Sequence, residues 1–206
     1  MARRQLHDAY FRQAKAEGYA ARSAFKLKQI QDAKQLIRTG NRVLDLGCAP
    51  GAWLQVAAEL VGPSGSVVGL DLQRVRIPLP PTVQPLVGDA WEIDPMLLLT
   101  AGTDKPAKFD VVLSDMAPNT TGHADSERSI QLCHQVLTLL PALLKPTGNL
   151  AMKVFEGALY RDLLDTTAMV FSYTRGYKPK ASRDVSREMY IIAYGYTGGL
   201  GERREG

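Results

Sequence analysis

From Arg42 onward, the chain alternates short apolar runs with longer stretches of helical periodicity. This alternation is typical of a mostly parallel sheet with helices on both faces, because parallel strands need a crossover between them. Strands are predicted at Arg42–Leu46, Ser66–Asp71, Val83–Val87, Phe109–Ser114, Asn149–Val154, Ser172–Tyr177 and Glu188–Tyr194. Helices are predicted at Ala20–Gln35, Ala52–Val61, Ser126–Leu144 and Leu159–Val170. The predicted fold class is therefore α/β.

The length bounds the domain organisation. With 206 residues, of which 45% are hydrophobic, the chain can bury one sizeable core. We therefore expect a single domain over residues 1–206, with a helical extension over 1–42 and a flexible tail over 197–206. The apolar runs are shorter than the roughly 20 residues of a membrane span, and the start does not resemble a secretory signal. A cytoplasmic monomer is expected; the alternative location is the mitochondrial matrix or another organelle.

The positive charge is concentrated near the start of the chain. Residues 1–42 hold ten Lys or Arg against three Asp or Glu, a local charge of +7, whereas the remainder carries −3. A localised basic surface attracts and orients a polyanion, so nucleic acid is the favoured partner and a membrane is not. A solvated basic helix is the alternative interpretation. Cys48 and Cys133 have no metal-ligand spacing and are expected to pack in the core; no metal is predicted.

The first predicted strand leads into a turn of the form Asp45-Leu46-Gly47-Cys48-Ala49-Pro50-Gly51 and then a helix. Glycines here allow a ligand to approach the backbone outside the carboxyl end of a strand. Asp71 ends the second strand, where a carboxylate can accept ribose hydroxyls. Asp89, after the third strand, would lie near an adenine edge. These features predict a nucleotide-type cofactor.

The turn lacks the G-x-G-x-x-G pattern of dinucleotide dehydrogenases. Its acid at Asp45 would repel a pyrophosphate but suits a positively charged sulfonium ligand. For Asp45 two interpretations stay open, contact with the cofactor or hydrogen bonds to loop amides. For Trp53, cofactor contact and packing beneath the loop are likewise both open.

Four polar residues, Lys26, Asp115, Lys153 and Glu188, lie on the basic helix or at ends of predicted strands. The carboxyl ends of neighbouring strands open into one crevice, so Asp115 and Lys153 can share a site. Lys153 stands out because a lone lysine is costly in a largely buried strand. Taken singly, each has a structural alternative, such as a lysine whose head group reaches solvent or a turn aspartate.

Several segments together resemble the FtsJ-like (RrmJ) RNA ribose 2′-O-methyltransferases: the stretch from Arg22 to Leu27, the turn from Asp45 to Trp53, Ser114 to Asn119, Lys153 to Gly157, and Lys178 to Glu188. The resemblance implies a Rossmann-like class I S-adenosylmethionine-dependent fold with an antiparallel last strand. It implies a catalytic tetrad at Lys26, Asp115, Lys153 and Glu188, with Lys153 leading. Cofactor contacts would be Gly47, Gly51, Trp53, Asp71, Asp89 and Asp115, with S-adenosyl-L-methionine as the cofactor.

The form Ser-Asp-Met-Ala-Pro-Asn after the fourth strand is more similar to the branch that acts on large-subunit ribosomal RNA than to the tRNA branch. The resemblance then implies a uridine in the peptidyl-transferase region as the target. Alternatives are a tRNA 2′-O-methyltransferase and a non-catalytic ribosome-assembly factor on the same fold. Cys48 and Ala52 depart from the residues most frequent in the family, and both changes are small.

Methyl transfer to a hydroxyl is an in-line displacement that must also release one proton. We expect Lys153, held by Asp115 and Glu188, to take that proton once RNA has excluded water; the alternative is that it stays charged and only orients the hydroxyl. RNA would cross the basic helix at Arg22 and Lys28. Its other border is predicted to be formed by Lys178, Lys180 and Arg183.

Overall fold

The computed structural model describes the backbone of residues 2–118, 125–182 and 186–198, and side chains from residue 9 onward within these ranges. The helices of these ranges are Ala2–Ala16 (α1), Ala24–Lys34 (α2), Ala52–Val61 (α3), Pro95–Thr100 (α4), Asp125–Leu143 (α5) and Tyr160–Ala168 (α6). The strands are Arg42–Leu46 (β1), Ser66–Asp71 (β2), Val83–Val87 (β3), Phe109–Ser114 (β4), Leu144–Phe155 (β5), Phe171–Tyr177 (β6) and Glu188–Tyr196 (β7).

All seven strands form one sheet in the order β3-β2-β1-β4-β5-β7-β6. Strands β3, β2, β1, β4 and β5 pair in parallel, whereas β7 is antiparallel to both β5 and β6. The strand order reverses at β1, from which the chain goes first to β2 and later to β4. Ligands of open α/β sheets bind at such a switch point, beyond the carboxyl ends of the strands. The predicted α/β fold class with an antiparallel last strand is confirmed.

Helices cover both faces of the sheet because neighbouring strand residues point in opposite directions. Val43 of β1 belongs to the core beneath α2 and α3, and its neighbour Leu44 belongs to the core beneath α5 and α6. Strands β1, β4 and β5 are buried on both faces, which explains their nearly continuous apolar sequence. Edge strand β3 tolerates Pro85, since a proline on an edge need not remove a ladder hydrogen bond.

Two predicted boundaries differ from the structure by four residues or more, and α1 and α4 were not among the predicted helix ranges. Helix α2 begins at Ala24 instead of Ala20, because residues 21–26 first form a turn of bonds between residues three apart. Strand β5 begins at Leu144, where the prediction had a helix end, and its pairing with β4 is interrupted by a register shift between Phe109 and Val111. Helix α4 was not predicted, although Asp94 caps it through the Met96 amide and Pro95 fills its first position.

Cys48 and Cys133 are both free and buried, which confirms their predicted packing in the core. Burial raises the pKa of the Cys133 thiol to about 12, so it stays protonated at neutral pH. Among the described helices, none is both long and apolar enough to cross a membrane. The predicted flexible tail lies outside the described residues from 199 onward.

Candidate active site

The turn after β1 depends on two glycines with positive φ. Gly47 has φ +79°, and a Cβ added there would lie 2.9 Å from the backbone nitrogen of Met116. Gly51 has φ +114°, and its added Cβ would lie 2.7 Å from Cδ1 of Ile77. A larger side chain is therefore disfavoured by conformation at both positions, and at Gly47 it is also excluded by the Met116 backbone. The turn brings its backbone against the segments that follow β2 and β4.

A cavity of about 620 Å³ opens at the carboxyl ends of β1, β2, β3 and β4. Its volume lies within the range of small-molecule and cofactor sites. Of the predicted cofactor residues, four line it: Gly47, Asp71, Asp89 and Asp115. Gly51 and Trp53 do not line it. Gly51 packs against Val75 and Ile77, and Trp53 lies in the core with only 2% of its surface exposed. The cavity, referred to below as the cofactor cavity, is where the sequence placed a nucleotide-type ligand.

Asp71 and Asp89 are both held by backbone amides. The two carboxylate oxygens of Asp71 accept hydrogen bonds from the amides of Ala49, at 2.9 Å, and Gln73, at 2.8 Å. Asp89 Oδ1 accepts from the Trp91 amide at 2.9 Å. Each oxygen keeps a free lone pair for a ligand hydroxyl or amine. The carboxylates are thus fixed in orientation before any ligand arrives.

Two exposed apolar side chains beside these carboxylates were missed by the sequence analysis. Leu72 is 60% exposed and Trp91 is 55% exposed, and both line the cofactor cavity. Leu72 directly follows Asp71, the last residue of β2, and Trp91 lies two residues after Asp89, which follows β3. Large apolar groups left in solvent next to a cavity are typical of a surface that a flat ligand covers. Their proximity to Asp71 and Asp89 was the signal available in the sequence.

The four predicted catalytic residues come together as two ion pairs. Lys153 Nζ lies 3.0 Å from Asp115 Oδ1 and also donates to the main-chain oxygen of Asp115. Lys26 Nζ lies 2.6 Å from Glu188 Oε1. All four side chains are largely buried, with Lys153 at 8% and Asp115 at 17% exposed. The expectation that Glu188 holds Lys153 directly is wrong, because Glu188 is paired with Lys26 from α2.

Tyr190 joins the two ion pairs and was not predicted from the sequence. Its hydroxyl lies 2.7 Å from Asp115 Oδ1 and 3.3 Å from Glu188 Oε1. A hydroxyl has one proton to donate, so the shorter distance directs it to Asp115. Burial, and then the charges of both carboxylates, raise the pKa of Tyr190 well above its usual value. Glu188 and Tyr190 share one face of β7 because residues two apart in a strand point the same way.

Trp53 supports this arrangement from below. Its ring stacks on Tyr190 with centroids 5.7 Å apart, and its indole nitrogen donates to the main-chain oxygen of Ser23 at 2.9 Å. Ser23 immediately precedes α2, the helix that carries Lys26. Of the two interpretations left open for Trp53, the structure therefore shows packing beneath the turn.

Asp45 is fully buried, and neither of its carboxylate oxygens has a hydrogen-bond partner among the described residues. Neither interpretation left open for Asp45 is observed, because its oxygens accept no hydrogen bond from loop amides and it does not line the cofactor cavity. Burial raises the pKa of Asp45 well above the usual value, and the nearby charges of Asp115 and Asp71 raise it further. Ionisation of this carboxyl is therefore less favourable in the folded protein than in the unfolded chain.

The predicted RNA-binding residues differ in how they are engaged. Arg22 donates to the main-chain oxygen of Ala181 at 2.8 Å, and Lys178 donates to that of Ser186 at 2.8 Å. Lys28 pairs with Glu17 at 3.1 Å and lies 4.5 Å from the centre of the Tyr19 ring. Lys180 is exposed. Arg183 lies outside the described residues.

No group of three or more His, Cys, Asp or Glu is arranged to hold a metal ion within the described part of the chain. The chemistry of the site is therefore built from two lysines, two carboxylates and a tyrosine. Such a set can orient a hydroxyl and manage one proton beside a bound cofactor.

Known proteins resemble this chain in sequence and in fold. The chain is 46% identical over 189 residues to "Ribosomal RNA large subunit methyltransferase E" of Syntrophobacter fumaroxidans, covering 91% of this chain and 94% of that relative. It is 47% identical to the protein of the same name in Methanothrix thermoacetophila, covering 92% of this chain and 72% of that relative. A solved structure described as a ribosomal RNA methyltransferase of Plasmodium falciparum has the same fold, with a TM-score of 0.75 at 23% identity over 88% of this chain and 100% of that chain.

The model of the FtsJ-like methyltransferase family matches residues 19–196, which include both ion pairs and the whole cofactor cavity. The chain therefore belongs to the FtsJ-like methyltransferase family.

Proposed function

We propose that this enzyme transfers the methyl group of S-adenosyl-L-methionine to a ribose 2′-hydroxyl of large-subunit ribosomal RNA. The observation that carries the proposal is the assembly of Lys153–Asp115 and Lys26–Glu188 into one buried network at the rim of the cofactor cavity. The name shared by the curated relatives supports ribosomal RNA as the substrate. We also propose that the methylated nucleotide is a uridine of the peptidyl-transferase region, because the resemblance to the ribosomal RNA branch of the family implies this target.

The cofactor cavity fits S-adenosyl-L-methionine in size and in chemistry. Asp71 offers two oriented oxygens to a ribose, and Asp89 offers an acceptor to an adenine amine. Leu72 and Trp91 provide flat apolar surface for the base. The cofactor would supply an electrophilic methyl group and a positive charge, and the Asp115 carboxylate in the cavity wall would attract that charge. Gly51 and Trp53 would act by shaping the turn.

Lys153 is the group best placed to act on the substrate hydroxyl. Its ammonium is held by two oxygens of one residue, the carboxylate and the main-chain oxygen of Asp115, so its direction is fixed. Lys153 can accept a proton only as the neutral amine, and forming that amine from an ordinary lysine at pH 7 costs about 5 kcal/mol. In this proposal Lys153 first gives its own proton to solvent, and docked RNA then excludes water from the site. The neutral amine orients the hydroxyl and accepts its proton as the methyl group is transferred.

Lys26 and Glu188 act through position. Glu188 accepts a hydrogen bond from the Ser182 hydroxyl at 3.0 Å and pairs with Lys26. The Tyr190 hydroxyl donates to Asp115 and lies 3.3 Å from Glu188, so it links the two ion pairs. We also propose that residues 1–206 work as one domain; the packing of α2 on α3 supports this.

The experiment is methylation by the purified protein with methyl-tritiated S-adenosylmethionine and, in parallel, unmodified ribosomal RNA, unmodified tRNA or immature large ribosomal particles. Labelled nucleotides are identified by nuclease digestion and mass spectrometry. We expect label on a ribose of ribosomal RNA. Label on a base refutes the assignment of the tetrad, label on tRNA alone refutes the substrate, and binding without label favours an assembly factor.

A further inference from the structure

The segment between β2 and β3 carries two exposed arginines beside the cofactor turn. Val75 and Ile77 face inward, and their side chains lie 3.0 and 2.7 Å from the position of an added Cβ on Gly51. The alternate residues, Arg74 and Arg76, are exposed. A run of prolines follows at 78, 80 and 81, which restricts the backbone further. The two arginine side chains therefore lie on the side of the segment opposite to Val75 and Ile77.

These arginines line a groove of about 550 Å³ next to the cofactor cavity. The groove and the cofactor cavity share Ala49 and Gln73 in their walls, so the two are continuous at the rim. The remaining wall is Pro50 and Ile77. A ligand in this groove would therefore pass directly beside a bound cofactor.

The charge of the groove is not compensated. Arg74 and Arg76 make no ion pair or hydrogen bond within the described part of the chain, whereas Arg22, Lys28 and Lys178 are engaged with neighbouring groups. The sequence contains no acid between Asp71 and Asp89, and the oxygens of Asp71 are already bonded to amides. Two exposed, unpaired arginines beside a cofactor site are typical of a surface that receives phosphate groups.

We propose that Arg74 and Arg76 bind consecutive phosphates of the RNA strand that is methylated, so that the strand lies along this groove. Residues two apart in an extended segment are separated by about 6.6 Å, which allows each guanidinium its own phosphate. The inference rests on the proposed function and adds to it a second wall of the RNA path. This wall lies across the cofactor turn from α2 and was not predicted from the sequence, which placed RNA only along α2 and residues 178–183.

The test compares two double variants. The groove variant carries both Arg74→Gln and Arg76→Gln, and the matched control carries both Arg38→Gln and Lys105→Gln. Both variants remove two exposed positive charges, but the control residues precede the amino ends of β1 and β4, whereas the cofactor cavity lies at the carboxyl ends. Binding of a short fluorescein-labelled single-stranded RNA is followed by anisotropy over a series of salt concentrations. Binding of S-adenosylmethionine is measured by calorimetry, and methylation by single turnover at saturating ribosomal RNA.

We expect the groove variant to bind RNA about 10- to 30-fold more weakly at about 0.1 M salt, with a salt slope smaller by about 1.4. The control variant should stay close to the wild-type protein. Cofactor binding and the single-turnover rate at saturating RNA should be unchanged in both.

Equal losses in the two variants would reduce the effect to net charge and overturn the proposal. Weaker cofactor binding with unchanged RNA binding would assign the groove to the cofactor, and would overturn it as well. Failure of the proposed function gives a different result, namely wild-type protein that binds RNA and leaves ribose unlabelled.

Discussion

The hydroxyl of Tyr190 lies 2.7 Å from Oδ1 of Asp115, the same oxygen that lies 3.0 Å from Lys153 Nζ. One carboxylate oxygen therefore holds both the candidate proton acceptor and a buried tyrosine. The tyrosine proton competes with the lysine for this oxygen, so the strength of one contact depends on the other. Tyr190 is a positioning residue in this arrangement, since it acts on the substrate only through Asp115.

The substitution Tyr190→Phe removes the hydroxyl that contacts Asp115 and Glu188, and it keeps the ring that stacks on Trp53. Loss of one buried hydrogen bond to a charged group should lower the free energy of unfolding by about 1.5 to 3 kcal/mol. We also expect the pH dependence of single-turnover methylation to shift, because Asp115 then interacts more strongly with Lys153. Urea unfolding and a pH–rate profile measure the two effects; an unchanged profile would leave Tyr190 a purely structural role.

Substitution of Lys153 by arginine separates the two roles considered for the lysine. Arginine keeps the positive charge and can still pair with Asp115, but it does not release a proton at neutral pH. We expect the single-turnover rate to fall by about 10² to 10⁴-fold, the usual contribution of a proton acceptor. Binding of S-adenosylmethionine should change little. Substantial activity in the arginine variant would mean that Lys153 only orients the hydroxyl.

A pair of glycine substitutions measures how closely the turn contacts Met116. Gly47 and Gly18 have nearly equal φ values, +79° and +78°, but an added Cβ meets Met116 only at Gly47 and nothing within 4 Å at Gly18. Both Gly→Ala variants should lose about 1 to 2 kcal/mol from the left-handed conformation. Gly47→Ala should lose more, and should weaken cofactor binding. Thermal unfolding that shows equal losses would contradict this close contact.

Asp45 gives a prediction about pH. Its raised pKa means that the native state keeps a proton that the unfolded state releases near pH 4, so burial of Asp45 lowers stability progressively as pH rises above that point. Asp45→Asn should remove this cost. The variant should be more stable than the wild type at pH 7, and the difference should grow by about 1.4 kcal/mol per pH unit between pH 4 and the raised value.

The measurement is urea unfolding of both proteins at several pH values, with Asp104→Asn as a control on an exposed carboxyl. The control should follow the wild type throughout. A wild type that is more stable than Asp45→Asn at neutral pH would show that the carboxylate has a stabilising partner in solution.

Much of the sheet was predictable because its central strands are buried on both faces and appear as apolar runs, as in Phe109–Ser114. The cofactor turn was predictable because glycines between a strand and a helix mark a backbone that approaches a ligand or another segment closely. Helix α4 was missed because six residues show too little periodicity. Tyr190 was missed because an aromatic residue in a strand resembles core, and its role depends on the hydroxyl reaching Asp115, which is distant in sequence.

The pairing of Glu188 with Lys26 could not be deduced for a similar reason. Strand spacing places Glu188 and Lys153 at neighbouring strand ends, but it does not determine the direction from which α2 approaches. That direction is set by packing of α2 on α3, which is a tertiary contact without a local signal.

The two contacts of Trp53 connect parts of the chain that are far apart in sequence. The indole follows the cofactor turn directly, stacks on Tyr190 of β7, and holds the residue before α2. A shift of the turn would therefore be transmitted to the helix that carries Lys26 and to the strand that carries Glu188. The Trp53 side chain thus contacts both other segments, so the position of the cofactor cavity is coupled to the positions of Lys26 and Glu188.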